Sequence, residues 1–347
     1  MRLAGRGNAD GAEHRLYLFD TPYRSPDLDF DPGDLPVRFR RRGPGLDLGF
    51  ARALARDLVA DGAEIVHAYN DTALCYAALA GARLGHRAPR LVAAFHTAPG
   101  HVTRAARLLT RWASGRADAV VAASDELAGR LLAEGWVRRC GVIWNGIDVD
   151  RFCPNGGDGG WRDRLGIAAD ASVIVHTARF DAVKRHVDLV AAARSVVRRR
   201  PDAAFVLAGQ GPLLAETRRL AVDLPAMRFV SHVADVASLL RAADVFVLPS
   251  AHEVAPLSLL EAMACGRACV CTAVGGVPAI LGDGDADPCG LLVPPGRPDT
   301  LAEALARLLD DPALRARLGA EARAAVGRFS FEREWGAYRA LYAGGAV

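Results

Sequence analysis

The sequence predicts an α/β protein built from two Rossmann-like, doubly wound parallel-sheet domains that face each other across a cleft. Three observations carry that expectation. Short apolar runs rich in β-branched residues alternate with longer amphipathic stretches along the chain, the pattern of repeated βα units whose strands are buried on both faces. At 347 residues the chain is too long for one ordinary core, so two domains are expected. A segment dense in Gly, Pro, Asn and Asp, NGIDVDRFCPNGGDGG at 145–160, divides the alternation in two.

In the first half, strands are expected at 14–20, 63–69, 90–96, 118–124 and 140–144, with helices at 47–60, 71–84, 101–115 and 125–134. A doubly wound domain ordinarily opens with a strand, a glycine-rich turn and a helix. No apolar run precedes His14, so that first unit is expected to be either dispensable here or upstream of the given start. The second half predicts strands at 172–178, 202–209, 227–232, 244–250, 268–274 and 290–296. Helices near 185–199, 213–222, 235–243, 299–309 and 312–326 separate or follow them. The domains are drawn at 1–150 and 151–328, and a last amphipathic helix falls within 329–347.

Composition narrows the function. Hydrophobic residues make up 51% and charged residues 24% of the chain, so it is globular, and a net charge of +3 argues against a dedicated nucleic-acid binder. Its seven cysteines include no Cys-x-x-Cys pair. Cys269 and Cys271 alternate within an apolar run and read as buried strand residues, which suits a reducing cytoplasm. No apolar run is long enough to span a bilayer and the N-terminus lacks an apolar signal region, so a soluble or at most peripheral protein is expected. Arg104, Arg107 and Arg111, beside Leu108 and Trp112, form one basic amphipathic face, and Arg38, Arg40, Arg41 and Arg42 a second basic cluster. Both are candidates for a weak peripheral contact with anionic lipid.

The stretch 244–266, DVFVLPSAHEVAPLSLLEAMACG, organises the rest. Val245 to Leu248 is an unbroken apolar strand, Pro249 and Ser250 stop it, and a helix begins at Pro256 and closes at Gly266. Glu253 falls in the loop at the strand's C-terminal end, and Glu261 lies one and a half turns into the helix. In open parallel sheets, ligands bind beyond the carboxyl ends of the strands, where helix N-termini offer N–H groups to anions. Other strand ends carry matching chemistry. Arg179 follows one strand and Lys184 stands at the threshold of the next helix, two cations suited to a diphosphate. Gly209 and Gly211 mark a tight turn that lets a ligand approach the backbone. His96 ends the strand RLVAAFH on the side of the expected cleft.

Taken together, the words Arg179-x-x-x-x-Lys184, Gly209-x-Gly211-Pro212, Ser250-x-x-Glu253, Pro256, Glu261-Ala262-Met263-Ala264-x-Gly266, Gly275-Gly276-x-Pro278 and Leu291-x-Val293-Pro294-x-Gly296 resemble the pattern of glycosyltransferase family 4, on the GT-B fold. Asn145-Gly146-Ile147-Asp148 and Phe152-x-Pro154 match it as well, so the resemblance runs over about residues 47–343. It implies retaining, metal-independent transfer of a sugar from a nucleotide-diphosphate donor, UDP-linked ahead of GDP-linked, to an unidentified hydroxyl acceptor, with no cofactor beyond that donor. By the same resemblance Arg179 and Lys184 hold the diphosphate and Glu261 accepts from the ribose hydroxyls. Glu253 meets the donor sugar, backbone amides near Leu257 and Ser258 meet the phosphate, and His96 approaches the sugar from the first domain. The closing helix is implied to return to the first domain. A nucleotide-sugar epimerase on the same fold and a non-catalytic nucleotide-sugar-binding subunit are the alternatives. The bottom-up chemistry agrees with transfer, because breaking a glycosyl–phosphate bond builds negative charge that fixed cations and a helix N-terminus stabilise.

Overall fold

The computed structural model describes residues 11, 13–20, 35–98, 103–282 and 288–345. They form two compact units, both of parallel-sheet Rossmann-like construction. One unit comprises the described residues up to Trp144 together with those from Glu334 onward; the other is Asn145–Arg333.

The first unit contains two separate sheets. Strands β1 (Leu16–Asp20) and β2 (Val37–Arg41) pair in parallel with each other. Strands β3 (Ile65–Ala68), β4 (Arg90–Phe95), β5 (Ala119–Ala122) and β6 (Gly141–Val142) form a parallel four-stranded sheet in that order. Among the described residues no strand pairs with both sheets. Helices α1 (Leu48–Ala60), α2 (Asp71–Leu84), α3 (Arg104–Ser114) and α4 (Asp125–Ala133) each begin at a side-chain cap, from Asp47, Asn70, Thr103 and Ser124 respectively. The helix expected from residue 101 starts at Arg104; 101 and 102 lie outside the described residues, as do residues 1–10, where no opening strand is expected. Phe50, Leu54, Leu58 and Tyr76 make a core cluster against which Tyr17 and Phe19 of β1 and Val66 of β3 pack.

Strand β2 places two members of the basic cluster, Arg38 and Arg40, in ion pairs. Arg38 and Arg40, two apart on a strand, point to one side, where Asp57 and Asp61 stand one helical turn apart at the end of α1. Arg38 binds Asp61 through both carboxylate oxygens, joined there by Arg15 and Tyr17, and Arg40 binds Asp57 in the same bidentate way. The Arg38 hydrogen bonds hold the Asp61 carboxyl down at about 2, and Arg40 lowers that of Asp57.

The second unit is one continuous six-stranded parallel sheet. After a one-turn helix α5 (Trp161–Arg164), strand β7 (Ser172–Thr177) leads through α6 (His186–Arg199), β8 (Ala203–Ala208) and α7 (Leu214–Leu220) to β9 (Met227–Val230) at one edge. Helix α8 (Val236–Arg241) then returns the chain to β10 (Val245–Leu248), on the other side of β7. Next come α9 (Leu257–Ala264), β11 (Ala268–Thr272), α10 (Val277–Leu281) and β12 (Leu291–Val293), which build toward the opposite edge. Helices α11 (Pro298–Asp310) and α12 (Pro312–Ala325) complete the unit. Ile174, Phe205, Val247 and Val270 are fully buried in its core, each worth about 1.5–3 kcal/mol of apolar transfer.

The final helix α13 (Phe331–Tyr342) carries most of its length into the first unit. There Tyr342 shares a 2.7 Å hydrogen bond with His67 Nδ1, and the Tyr338 ring lies 4.8 Å from the His67 ring. No helix among the described residues is long and apolar enough to cross a membrane.

Candidate active site

In the second unit the winding direction reverses between the adjacent strands β7 and β10. A crevice beyond the carboxyl ends of such a strand pair is where open α/β sheets bind ligands. The two loops that leave this pair carry Arg179 and Lys184 after β7, and Ser250 and Glu253 after β10. The Ala251 N–H donates to the Val183 carbonyl at 2.8 Å and holds the loops side by side.

The first loop is fixed by local chemistry. Asp181 caps a short 3₁₀ turn, its carboxylate accepting from the Val183 and Lys184 N–H groups at 3.1 and 3.2 Å. Arg185 follows in the left-handed region at φ 52°, the one non-glycine residue with positive φ among those described. Its guanidinium grips Asp188 through two hydrogen bonds of 2.8 Å, which offsets a conformation that costs about 1–2 kcal/mol. Beneath the loop, the Phe180 ring stacks on His186 at 4.0 Å, and His176 Nδ1 meets the Val247 carbonyl at 2.8 Å. Burial pushes these imidazoles down, His176 to about 3 and His186 to about 4, so both are neutral near pH 7.

Gly209 and Gly211 explain how the loop is supported. A Cβ on Gly209 would stand 2.0 Å from the Ala178 carbonyl oxygen, and one on Gly211 would stand 2.5 Å from that of Phe180. The turn closes on the backbone on either side of Arg179, and Phe180 N–H donates to the Gln210 carbonyl at 2.8 Å. Arg179 itself is exposed, with no ion-pair partner among the described residues.

The second loop buries its carboxylate. Glu253 is 7% exposed, and its Oε1 accepts from both Lys184 Nζ and Ser250 Oγ, each at 2.6 Å. Thr272 in turn donates to the Ser250 carbonyl at 2.6 Å. Gly275, at φ 54°, lets its turn close on this loop, since a Cβ there would overlap the Glu253 carbonyl oxygen at 1.5 Å. Asn145 donates from Nδ2 to the Ala255 carbonyl at 2.9 Å. Helix α9 then starts from Pro256, which stands at the cap position, and no side chain caps its first N–H groups. Leu257 is exposed, while Ser258 and Glu261 are half-buried. A cationic pair, an uncapped helix N-terminus and a buried carboxylate side by side make a site for an anionic group that also bears hydroxyls.

His96 belongs to the other unit. It follows β4, is half-buried, and its ring lies 5.5 Å from that of Tyr69, tilted by 23°. Tyr69 also stacks on His67 at 4.2 Å. Burial pushes His67 down to about 3, with His96 adding to the shift.

Sequence reasoning assigned Lys184 and Glu253 separate roles and did not see that they pair, because 69 residues separate them. It also missed Ser250 and Asp181 as supporting groups. One signal for Lys184 was available: of the 43 lysines and arginines in the chain, Lys184 is the one lysine. A composition that uses arginine for every other permanent side-chain cation keeps an ammonium here.

The comparisons with known proteins fit this geometry. The family models for Glycosyltransferase Family 4 and for Glycosyl transferases group 1 match residues 1–151 and 159–325, which together make up most of the chain. The D-inositol 3-phosphate glycosyltransferase of Saccharomonospora viridis is 35% identical over 211 residues, covering 57% of this chain and 48% of that protein. The GDP-mannose-dependent monoacylated alpha-(1-6)-phosphatidylinositol monomannoside mannosyltransferase of Corynebacterium glutamicum is 33% identical over 203 residues, covering 55% and 51%. The match thus spans about half the length of these relatives. In fold, a glycosyltransferase structure from Rickettsia africae superposes with a TM-score of 0.81 at 17% identity, over 98% of this chain and 92% of the other. By both halves of its sequence and by its GT-B architecture, the chain belongs to glycosyltransferase family 4.

Proposed function

We propose that this chain transfers a sugar from a nucleotide-diphosphate donor to a hydroxyl acceptor, with retention of anomeric configuration and without a metal ion. The observation that carries the proposal is the meeting of Lys184 and Glu253 beside the uncapped start of α9, at the point where the sheet reverses. Arg179, Lys184 and the α9 amides of Leu257 and Ser258 would hold the diphosphate and stabilise the charge that develops on the leaving phosphate oxygen. Fixed positive charge of this kind does the work a divalent cation would otherwise do. Glu253 would accept from hydroxyls of the donor sugar and Glu261 from the ribose, with Gly209 and Gly211 shaping the turn under Arg179. His96 is assigned to the sugar end.

A UDP-linked donor is the first to test and a GDP-linked donor the second, the latter because the Corynebacterium relative is named as GDP-mannose-dependent. The acceptor is a hydroxyl of a glycan, a lipid carrier or a small metabolite. The experiment is incubation with UDP- and GDP-sugars in the presence of chelator and a panel of acceptors, with the product anomer read by NMR. Transfer with inversion, or only with added metal, removes the corresponding part of the proposal. Interconversion of the donor sugar without transfer favours an epimerase, and binding alone a non-catalytic subunit.

The cytoplasm is the proposed location, in keeping with seven free cysteines. A weak peripheral contact with anionic membrane is assigned to α3, where Arg104 and Arg107 are exposed and Leu108 is 65% exposed. Failure to sediment with anionic vesicles at low salt would dismiss that contact.

A further inference from the structure

We propose that the Lys184–Glu253 pair is a gate that selects the intact nucleotide sugar over the free nucleotide. The inference rests on the reading above, in which Lys184 serves the diphosphate and Glu253 the sugar. Its starting point is that Nζ of Lys184 and Oγ of Ser250 fall on the same oxygen, Oε1 of Glu253, each at 2.6 Å, around a carboxylate that is 7% exposed. Removing one partner from a buried ion pair leaves an uncompensated charge, and this costs more than the pair itself is worth.

A diphosphate entering between Arg179 and the α9 N-terminus draws Lys184 toward its oxygens. Glu253 then keeps only Ser250 and gains an anion as a neighbour. Pyrophosphate offers the carboxylate no hydrogen-bond donor in exchange, and the ribose hydroxyls of a nucleoside diphosphate are the ones assigned to Glu261. A nucleotide sugar does, because a hydroxyl of the transferred sugar takes the place that the ammonium leaves. The donor fills both ends of the opened pair; the nucleotide product fills one. Once the sugar has gone to the acceptor, re-formation of the pair favours release of the nucleotide.

The residue type fits this exchange. An ammonium on a flexible four-carbon stem moves between two acceptors, whereas an arginine fork locks bidentate onto a carboxylate. The chain illustrates the second behaviour at Arg185–Asp188 and Arg40–Asp57, and it keeps its one lysine at the gate.

Calorimetric titration of the whole chain with pyrophosphate, UDP, GDP, UDP-glucose and GDP-mannose tests the gate. In Glu253→Gln, pyrophosphate and the preferred nucleotide should bind about 10-fold more tightly, while the nucleotide sugar gains less or weakens, so that its preference over the nucleotide shrinks. Unchanged or weaker pyrophosphate binding would overturn the gate, since the ammonium would then serve phosphate and carboxylate together. Should Glu253→Gln fail to fold, Ser250→Ala gives the opposite sign: Glu253 depends more on Lys184, and pyrophosphate should bind several-fold more weakly. Tighter pyrophosphate binding in Ser250→Ala contradicts the gate. Lys184→Ala separates the two levels, because undiminished pyrophosphate binding in that variant removes the diphosphate site itself, and the gate with it.

Discussion

The two units use the same architecture to different ends. In the second, the sheet is continuous, and the ends of β7 and β10 present Arg179, Lys184 and Glu253 on loops held by backbone contacts: the Gly209–Gly211 turn under one loop, Gly275 against the other. In the first, the sheet is split, and the prominent arginines Arg38 and Arg40 are spent on Asp61 and Asp57. Its central polar groups, His67 and Tyr342, are turned inward on each other. Charge in a strand-end loop is available to a ligand when glycines and caps hold the loop; charge along a strand edge is absorbed by the neighbouring helix. The contrast predicts where substitution abolishes chemistry and where it only loosens the fold.

The largest effect is expected at Lys184. Lys184→Ala should lower transfer by about 10²-fold or more, because a leaving-group cation acts mainly in the transition state, with the secondary structure retained and the unfolding temperature lowered by the charge left unpaired on Glu253. Lys184→Arg should recover little of that loss if mobility, and not charge alone, is what the site uses. Initial rates and circular dichroism check both variants; wild-type rates in Lys184→Ala would remove this residue from the chemistry, and wild-type rates in Lys184→Arg would show that charge alone is what the site uses.

Gly275→Ala comes next. The added Cβ would overlap the Glu253 carbonyl, at a φ that L residues rarely adopt, so the Glu253 loop must shift. At least a 10-fold loss of rate is expected, with a loss of stability of about 1–3 kcal/mol. Gly296→Ala is the control within the same unit, because φ there is also positive, at 70°, but nothing lies within 4 Å of the new Cβ. Rates that fall equally in the two variants would mean that strain, and not the approach to Glu253, matters.

Acid should weaken both units, through histidines that burial keeps neutral. His176 is held at about 3 and His186 at about 4 in the second unit, and His67 at about 3 in the first, all well below the ordinary value of 6.5. The folded state therefore binds fewer protons than the unfolded state between those limits. The contribution is fully present above pH 6.5 and is lost as pH falls toward 3–4. Burial lowers His14 of the first unit as well, so both units should lose stability between pH 7 and 5. Calorimetric unfolding across that range checks it, and a flat midpoint would contradict it.

The smallest effect is expected at Arg40→Ala. Its partner Asp57 is nearly buried but the arginine is 42% exposed, so screening limits the loss to about 1 kcal/mol in urea unfolding, with transfer unchanged. A fall in transfer would give the β2 arginines a role this reading denies them.

How much of this could be read in advance follows from how local each feature is. The strand–turn–helix punctuation around Val245–Gly266 is written in consecutive residues, and the structure reproduces it with Pro256 at the helix cap. Strand β2 was obscured because Val37 and Phe39 alternate with arginines whose acidic partners come about twenty residues later, on α1. The pattern is recognisable afterwards: arginines two apart on a strand match aspartates four apart on a helix. The Lys184–Glu253 pair lay beyond reach because it depends on β10 returning beside β7, a matter of strand order that no local spacing encodes.

The placement of α13 sets the order in which the two units can be completed during translation. The second unit is one uninterrupted segment, 145–333, whereas the first needs residues on both sides of it. A nascent chain can close the six-stranded core as soon as that segment has left the ribosome. His67, made long before, waits for Tyr338 and Tyr342 to cover it. Domains usually mature from the N-terminus onward; here the later-encoded unit is free to finish first, and a chain stopped at residue 333 would carry a complete six-stranded sheet alongside a first unit still open at His67.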